Sequence, residues 1–380
     1  MESEMLLLEK IVRPLLSWYE ENARKLPWRE DQEPYHVWVS EIMLQQTRVE
    51  AVKPYYARFL SVLPDVKSLS EVSEERLLKL WEGLGYYSRV RNMQKAARSI
   101  MTEHGGNFPN TLDEIRKLPG IGDYTAGAIA SISFGLPEPA VDGNVLRVIM
   151  RVLNRRDDIL LPATKKAVRN ALRRVMERLA EEERTGAEER IGAKKAEVKG
   201  AAAYTPGAFN QSLMELGALI CVPNVEPRCE ACPLSNLCLA RKNGSASSLP
   251  VRKKKGGRRI EERTVLLLLD ENKVAIRRRP NTGLLAGLYE FPSVLGYPSE
   301  KELIREVEKL GYSPIRFIRL PDAKHVFSHV EWHMRGYAVR VEEDVADGEI
   351  IWADQAALES RYAIPSAFSA YLHVLGFMIC

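Results

Sequence analysis

Hydrophobic and polar positions change period once along this chain, near residue 260, and the change predicts two bodies of different class. Before it, Leu6, Leu7, Ile11, Leu15, Trp18 and Tyr19 recur at helical spacing, as do Val145, Leu146, Ile149, Val152 and Leu153. Residues 5 to about 180 therefore read as mostly helical, and the helical signal returns at Phe209, Leu213, Leu216 and Leu219. After it, residues 265–269, 274–277, 337–341 and 350–352 are short β-branched or apolar runs of strand length, with a helical stretch at 300–310 between them. The expectation is a mostly α N-terminal domain over 1–241 and a smaller α+β domain over 261–380. Residues 242–260, small and polar first and then strongly basic in RKKKGGRR, read as the linker between them.

Composition adds a few bounds. At about 150 residues per domain, a chain of 380 residues holds two or three. Apolar residues at 45% and charged residues at 28% are ordinary for a soluble protein. The absence of any apolar run of about 18 residues excludes a spanning helix. The start, MESEMLLLEK, carries acidic residues where a signal peptide carries basic ones, so secretion is not expected and the setting reads as cytoplasmic. A net charge of +4 permits a nucleic-acid partner without requiring one. Residues 181–200, with six acidic and five basic residues, read as a solvated extension or insertion.

Three features carry candidate chemistry. In TLDEIRKLPGIGDYTAGAIASISF (111–134), Thr111 and Glu114 have capping-box spacing, LPGIG stops that helix, and a second helix follows. The turn at Gly120 and Gly122 would expose backbone N–H groups at a helix N-terminus, where a phosphate oxygen can bind. The bland alternative is a glycine-capped helical hairpin. Next, HVWVSEIMLQQT (36–47) forms a helix that is apolar nearly all round, so Glu41 in its middle should be buried. Burial raises a carboxyl pKa toward the range of a general acid, unless a buried arginine or backbone groups satisfy it. Asp142, in AVDGNVLRV, stands where an N-cap would. Together with Glu41 it would also supply one protonated and one ionised carboxyl, the arrangement that cleaves bonds at an anomeric carbon.

The third feature is Cys221-x7-Cys229-x2-Cys232-x5-Cys238, with no histidine interleaved. Clustered thiols in a chain without secretion signals point to metal rather than to disulfides. Four thiolates suit zinc or an iron–sulfur cluster. With a single CxxC pair in place of a zinc ribbon's two, the reading leans to [4Fe–4S].

LPWR (26–29), WVSEIMLQQT (38–47), WEGLGYYSR (81–89), LPGIGDYTAGAI (118–129), AVDGNVLRV (140–148), FNQSLMELGALIC (209–221) and CPLSNLC (232–238) together resemble the MutY family of adenine DNA glycosylases, within the helix–hairpin–helix superfamily. The resemblance covers nearly the whole chain. It implies excision of adenine opposite 8-oxoguanine or guanine in duplex DNA, by a monomer carrying a [4Fe–4S] cluster on the four cysteines. Glu41 would protonate N7 of the flipped adenine, and Asp142 would stabilise or trap the oxocarbenium-like centre. Tyr124 and Asn144 would orient groups around it. Trp28, Arg29, Leu44 and Glu215 would border the adenine pocket, while Gln46, Leu84 and Tyr86 would fill or wedge the duplex and offset the cost of flipping. Endonuclease III relatives carry a lysine where this chain has Tyr124, so the amine needed for strand cleavage is missing there.

GLLAGLYEFPS (283–293) resembles the Nudix-related C-terminal domain of the same family, and HVFSHVEW (325–332) its 8-oxoguanine recognition loop, implying that role for Phe327, Ser328 and His329. The stretch REVEKLG (305–311) lacks the paired glutamates with which a Nudix box binds magnesium, which argues against pyrophosphate hydrolysis. The first cysteine gap, seven residues, is one longer than the family's usual six. The competing readings are a pyrimidine-damage lyase of the endonuclease III type, opposed by Tyr124, and a non-catalytic lesion binder, opposed by the acid on an apolar helix.

Overall fold

The computed structural model describes residues 2–192, 204–253, 257–342 and 349–378. Residues 193–203 of the charged stretch, 254–256 of the basic linker and Cys380 lie outside the described residues. The chain divides into two compact units, Met1–Ser70 with Asn92–Lys254 and Glu71–Arg91 with Lys255–Cys380. Residues 71–91, flanked in sequence by the helical half, thus cluster with the C-terminal part. No described helix is long and apolar enough to cross a membrane.

Helices run in the order α1 (Glu2–Lys10), α2 (Val12–Asn22), α3 (Pro34–Leu44), α4 (Val49–Val62), α5 (Val66–Glu71), α6 (Glu74–Leu80), α7 (Ser88–Glu103), α8 (Leu112–Lys117), α9 (Asp123–Phe134), α10 (Gly143–Val152), α11 (Pro162–Gly192), α12 (Pro206–Leu219) and α13 (Leu239–Lys242). Their ends follow from local chemistry. The side chains of Thr111, Asp142 and Thr205 accept the backbone N–H of Glu114, Val145 and Ala208, which would otherwise be orphan donors of the first turn. Gly135, at φ +65°, closes α9 in the left-handed conformation that glycine adopts without strain.

The uniform apolarity of α3 has its expected consequence, since Tyr35 and every residue from Val37 to Met43 are buried. α9 packs against α3 and α12. A second core gathers Leu8, Leu15, Ile149, Leu172, Phe209 and Leu213 from α1, α2, α10, α11 and α12. Two glycines set the spacing. A Cβ on Gly127 would lie 2.5 Å from the Pro139 carbonyl oxygen, and one on Gly217 would lie 2.6 Å from Asn144 Cβ.

The second unit is built on a seven-stranded sheet of β1 (Arg259–Asp270), β2 (Lys273–Arg278), β3 (Tyr289–Glu290), β4 (Ser293–Leu295), β5 (Ser313–Val326), β6 (Val330–Glu342) and β7 (Ile350–Ala353). The order is β3-β2-β1-β6-β5, with β4 on β1 and β7 on β2. β1 and β6 are parallel, from Arg259 opposite Val330 to Leu269 opposite Arg340, and the other pairings are antiparallel. The apolar run 265–269 is uninterrupted because both faces of β1 are covered. Val265 and Leu267 face a core shared with α15 (Gln355–Ser360) and α16 (Ser369–Met378), while Leu266 and Leu268 face α14 (Glu300–Lys309). The mostly α first part and the α+β second part expected from the pattern are both present.

Candidate active site

Glu41, Asp142, Tyr124 and Asn144 line one cavity of about 1150 Å³ in the first unit, with Trp28, Arg29, Leu44, Gln46 and Glu215 also on its wall. α3 delivers Glu41 from a buried turn, 7% exposed. Its partner is neither an arginine nor the backbone, because the Tyr124 hydroxyl on α9 donates to Glu41 Oε2. Burial drives the Glu41 carboxyl up to about 7, aided by the nearby Asp142 charge and opposed by the Tyr124 hydrogen bond and Arg29. An acid at that value holds a proton in roughly half the molecules at neutral pH.

Asp142 is placed by its own helix. Oδ1 accepts Val145 N–H at 2.7 Å, and Oδ2 accepts Asn144 Nδ2 at 2.7 Å. Burial nevertheless raises the Asp142 carboxyl above its ordinary value, against those donors and Arg147. Both groups are pushed up, and they differ in their donors: Asp142 faces two fixed donors and a guanidinium, Glu41 a phenol.

A third carboxyl in the cavity has the opposite fate. Burial alone would raise Glu215, which is 1% exposed. Arg24 grips it through Nε at 2.7 Å, Nη2 at 2.9 Å and the backbone N–H at 3.0 Å, and Arg29 adds Nη2 at 2.8 Å. These bonds hold it down at about 2. Glu215 is thus a permanent anion that organises Arg24 and Arg29 beside the acid. Nothing in the hydrophobic pattern singles out Arg24. Trp28 lies buried in a 3₁₀ turn (Pro27–Arg29), edge-on to Tyr56, with ring centroids 5.5 Å apart. Gln46 stands just past α3 at φ +67°.

α10 also ties the aspartate to the cysteine loop. Arg147, 3% exposed, donates to Asn144 Oδ1 at 2.8 Å, Gly217 O at 2.8 Å and Cys221 O at 2.7 Å. One turn later, Arg151 donates to Cys221 O at 3.1 Å, Cys221 Sγ at 3.2 Å and Leu249 O at 2.9 Å. Neither residue stood out in the sequence pattern. Their signal was present, as two arginines four apart on a helix otherwise apolar where it packs. Cys221 follows α12, Cys229 opens a 3₁₀ turn (Cys229–Ala231), Cys232 ends it and Cys238 caps α13. Burial raises Cys229, Cys232 and Cys238, and the cysteines raise one another further, so the four lie within electrostatic reach. Four thiols with no histidine interleaved in the sequence are a donor set that fits a cluster or zinc. Among the described residues, no three metal-ligating side chains converge on a common point at metal-binding distance.

In the hairpin, Gly120 takes φ +80°, and a Cβ there would meet Asn92 Cβ at 2.6 Å. Gly122 is the N-cap of α9 and has nothing within 4 Å of where a Cβ would stand, which leaves its backbone face open. The remaining expected site residues belong to the second unit. Leu84 is buried and Tyr86 is 46% exposed, at φ +47° between Gly85 and Tyr87. The loop between β5 and β6 carries Phe327, Ser328 and His329, with Phe327 edge-on to Trp332 at 4.9 Å. Ser328 Oγ lies 2.8 Å from the Tyr86 hydroxyl.

A helical unit carrying a glycine hairpin, the Glu41 and Asp142 carboxyls in one cavity and a cysteine loop defines a class. Residues 39–178 match the HhH-GPD superfamily of base excision DNA repair proteins, and residues 264–374 match the NUDIX domain. A solved thermostable thymine-DNA glycosylase shares the fold, with TM-score 0.50 and 25% identity over 62% of this chain and 97% of that one. The particular family follows from relatives matched over most of their own length. An adenine DNA glycosylase of Mus musculus is 36% identical over 87% of this chain and 70% of its own length. One from Schizosaccharomyces pombe is 31% identical over 93% and 86%, and one from Buchnera aphidicola subsp. Baizongia pistaciae is 33% identical over 83% and 82%. The chain belongs to the adenine DNA glycosylase family, and is a DNA glycosylase whose partner is DNA.

Proposed function

We propose that this protein releases adenine paired with 8-oxoguanine or guanine in duplex DNA, by hydrolysis and without efficient strand cleavage, as a cytoplasmic monomer. The observation that carries the reading is the buried Glu41 carboxyl, held near 7 by an apolar helix and bonded to the Tyr124 hydroxyl. In this mechanism Glu41 delivers its proton to N7 of the flipped adenine. The base then leaves as a neutral species, and the Tyr124 hydroxyl stabilises the carboxylate left behind. Asp142, aimed by Val145 N–H and Asn144, offers its charge to the sugar as positive charge develops at the anomeric carbon. Arg29 and the Glu215 anion flank the base pocket. The turn at Gly120 and Gly122 takes a phosphate. Gln46, Leu84 and Tyr86 occupy the duplex where the base left, and Phe327, Ser328 and His329 read the opposite base.

Cys221, Cys229, Cys232 and Cys238 would hold a [4Fe–4S] cluster, which would brace the loop that Arg147 and Arg151 join to α10. The donor set and this family's fold support that assignment. The test uses duplexes carrying one adenine opposite 8-oxoguanine, guanine or thymine. Free adenine released from the first two, with strand breaks appearing only after alkali, is the expected result. A borohydride-trapped covalent adduct with direct strand cleavage would turn the assignment toward a lyase.

A further inference from the structure

The turn that presents Tyr86 is fastened to the end of α15 by one lysine and one glutamate. Lys79, on the last turn of α6, donates from Nζ to Leu358 O at 2.7 Å, Tyr362 O at 3.1 Å and Glu82 Oε2 at 2.6 Å. Its three donors thus meet three acceptors. Leu358 O is among the last carbonyls of α15, which have no partner within the helix, so the ammonium supplies what the helix lacks. The other oxygen of Glu82, Oε1, accepts Ile364 N–H at 2.7 Å. Both side chains are largely shielded, 16% and 28% exposed. Beyond Glu82 the backbone turns through Gly83 at φ +94° and Gly85 at φ +69° to Tyr86. The Tyr86 hydroxyl then meets Ser328 Oγ at 2.8 Å.

We propose that Lys79 and Glu82 are positioning residues for discrimination of the base opposite adenine, because their bonds to residues 358–364 make the Tyr86 turn and the 327–329 loop a single rigid reader. This inference rests on the proposed function, in which Tyr86 wedges the duplex and Ser328 reads the opposite base. An ordinary exposed ion pair would have little effect. Such a pair exists nearby in Arg361 and Glu75, 64% and 41% exposed, and serves as the internal control.

The experiment measures single-turnover excision opposite 8-oxoguanine and opposite guanine for wild type, Lys79→Met, Lys79→Arg, Glu82→Gln and Arg361→Ala. Lys79→Met and Glu82→Gln should lower the ratio of the two rates about five- to tenfold, the size of a typical coupling between sites. Lys79→Arg should restore most of the ratio, Arg361→Ala should leave it unchanged, and Lys79→Met should add little to Ser328→Ala. An unchanged ratio, or both rates falling together, would overturn the proposal. A 2-aminopurine next to the 8-oxoguanine reports wedge insertion without any excision. Its signal should fall at least about fivefold in Lys79→Met, and an undiminished signal overturns the inference. Wild type that inserts the wedge but releases no adenine would refute the proposed function alone.

Discussion

Two buried glutamates in one cavity, Glu41 near 7 and Glu215 near 2, show how partners decide the state of the same side chain. Glu41 faces apolar atoms and one phenol, Glu215 two guanidinium groups. Their linkage to folding has opposite sign. Glu41 rises from 4.5 to about 7 on folding, so the folded chain holds a proton that the unfolded chain releases, and stability falls as pH climbs through that window. The cost at pH 8 is about 3 kcal/mol. Glu215 is depressed, so its contribution is present above 4.5 and is lost as pH falls toward 2. Glu41→Gln should therefore raise Tm by roughly 5 °C at pH 8 and hardly at all at pH 4, as read by calorimetry, while slowing excision sharply. A lower Tm at pH 8 would mean that Glu41 is not a strained acid. Glu41 was legible in the sequence because an acid interrupts an apolar helix. Arg24 was not, since it sits in a loop and gains its meaning only from Glu215, 191 residues away.

At the scale of elements, α10 is both the mount of Asp142 and the anchor of the cysteine loop. Its packing on α12 runs through Gly217, where a Cβ would press 2.6 Å from Asn144 Cβ. Gly217→Ala should displace Asn144, cost about 1–3 kcal/mol as overpacking, and slow excision more than DNA binding. Equal losses in both would place the damage in the fold at large. Most helices were legible because their apolar stripes and caps are local, as with Thr111 and Asp142. β5 was not. Its sequence, SPIRFIRLPDAKHV, holds two prolines and several charged residues, the composition of a protected edge strand rather than an alternating one. Its pairing with β6 shifts register twice, which blurs the period further. α15 and α16 escaped notice because they are short and close the chain over a sheet face that only tertiary structure reveals.

At the scale of the whole chain, the division into units places residues 71–91 with the sheet, a grouping invisible along the sequence, since α6 resembles any other short helix. The net charge of +4 is small, so DNA affinity must come from local basic stretches rather than from overall charge. Neutralising Lys253, Lys254, Lys255 and Arg258 should flatten the dependence of log K on log salt by up to about 0.9 for each phosphate left without its cation. An unaltered slope would make that stretch a plain linker. The decisive measurement is the single-turnover rate of adenine release opposite 8-oxoguanine between pH 5.5 and 9, for wild type beside Glu41→Gln. The wild-type rate should decline above a pKa near 7, and the Gln variant should be slower by about 10²–10⁴-fold. A variant that keeps the wild-type rate, or a wild type indifferent to pH across that range, would contradict the role given to Glu41.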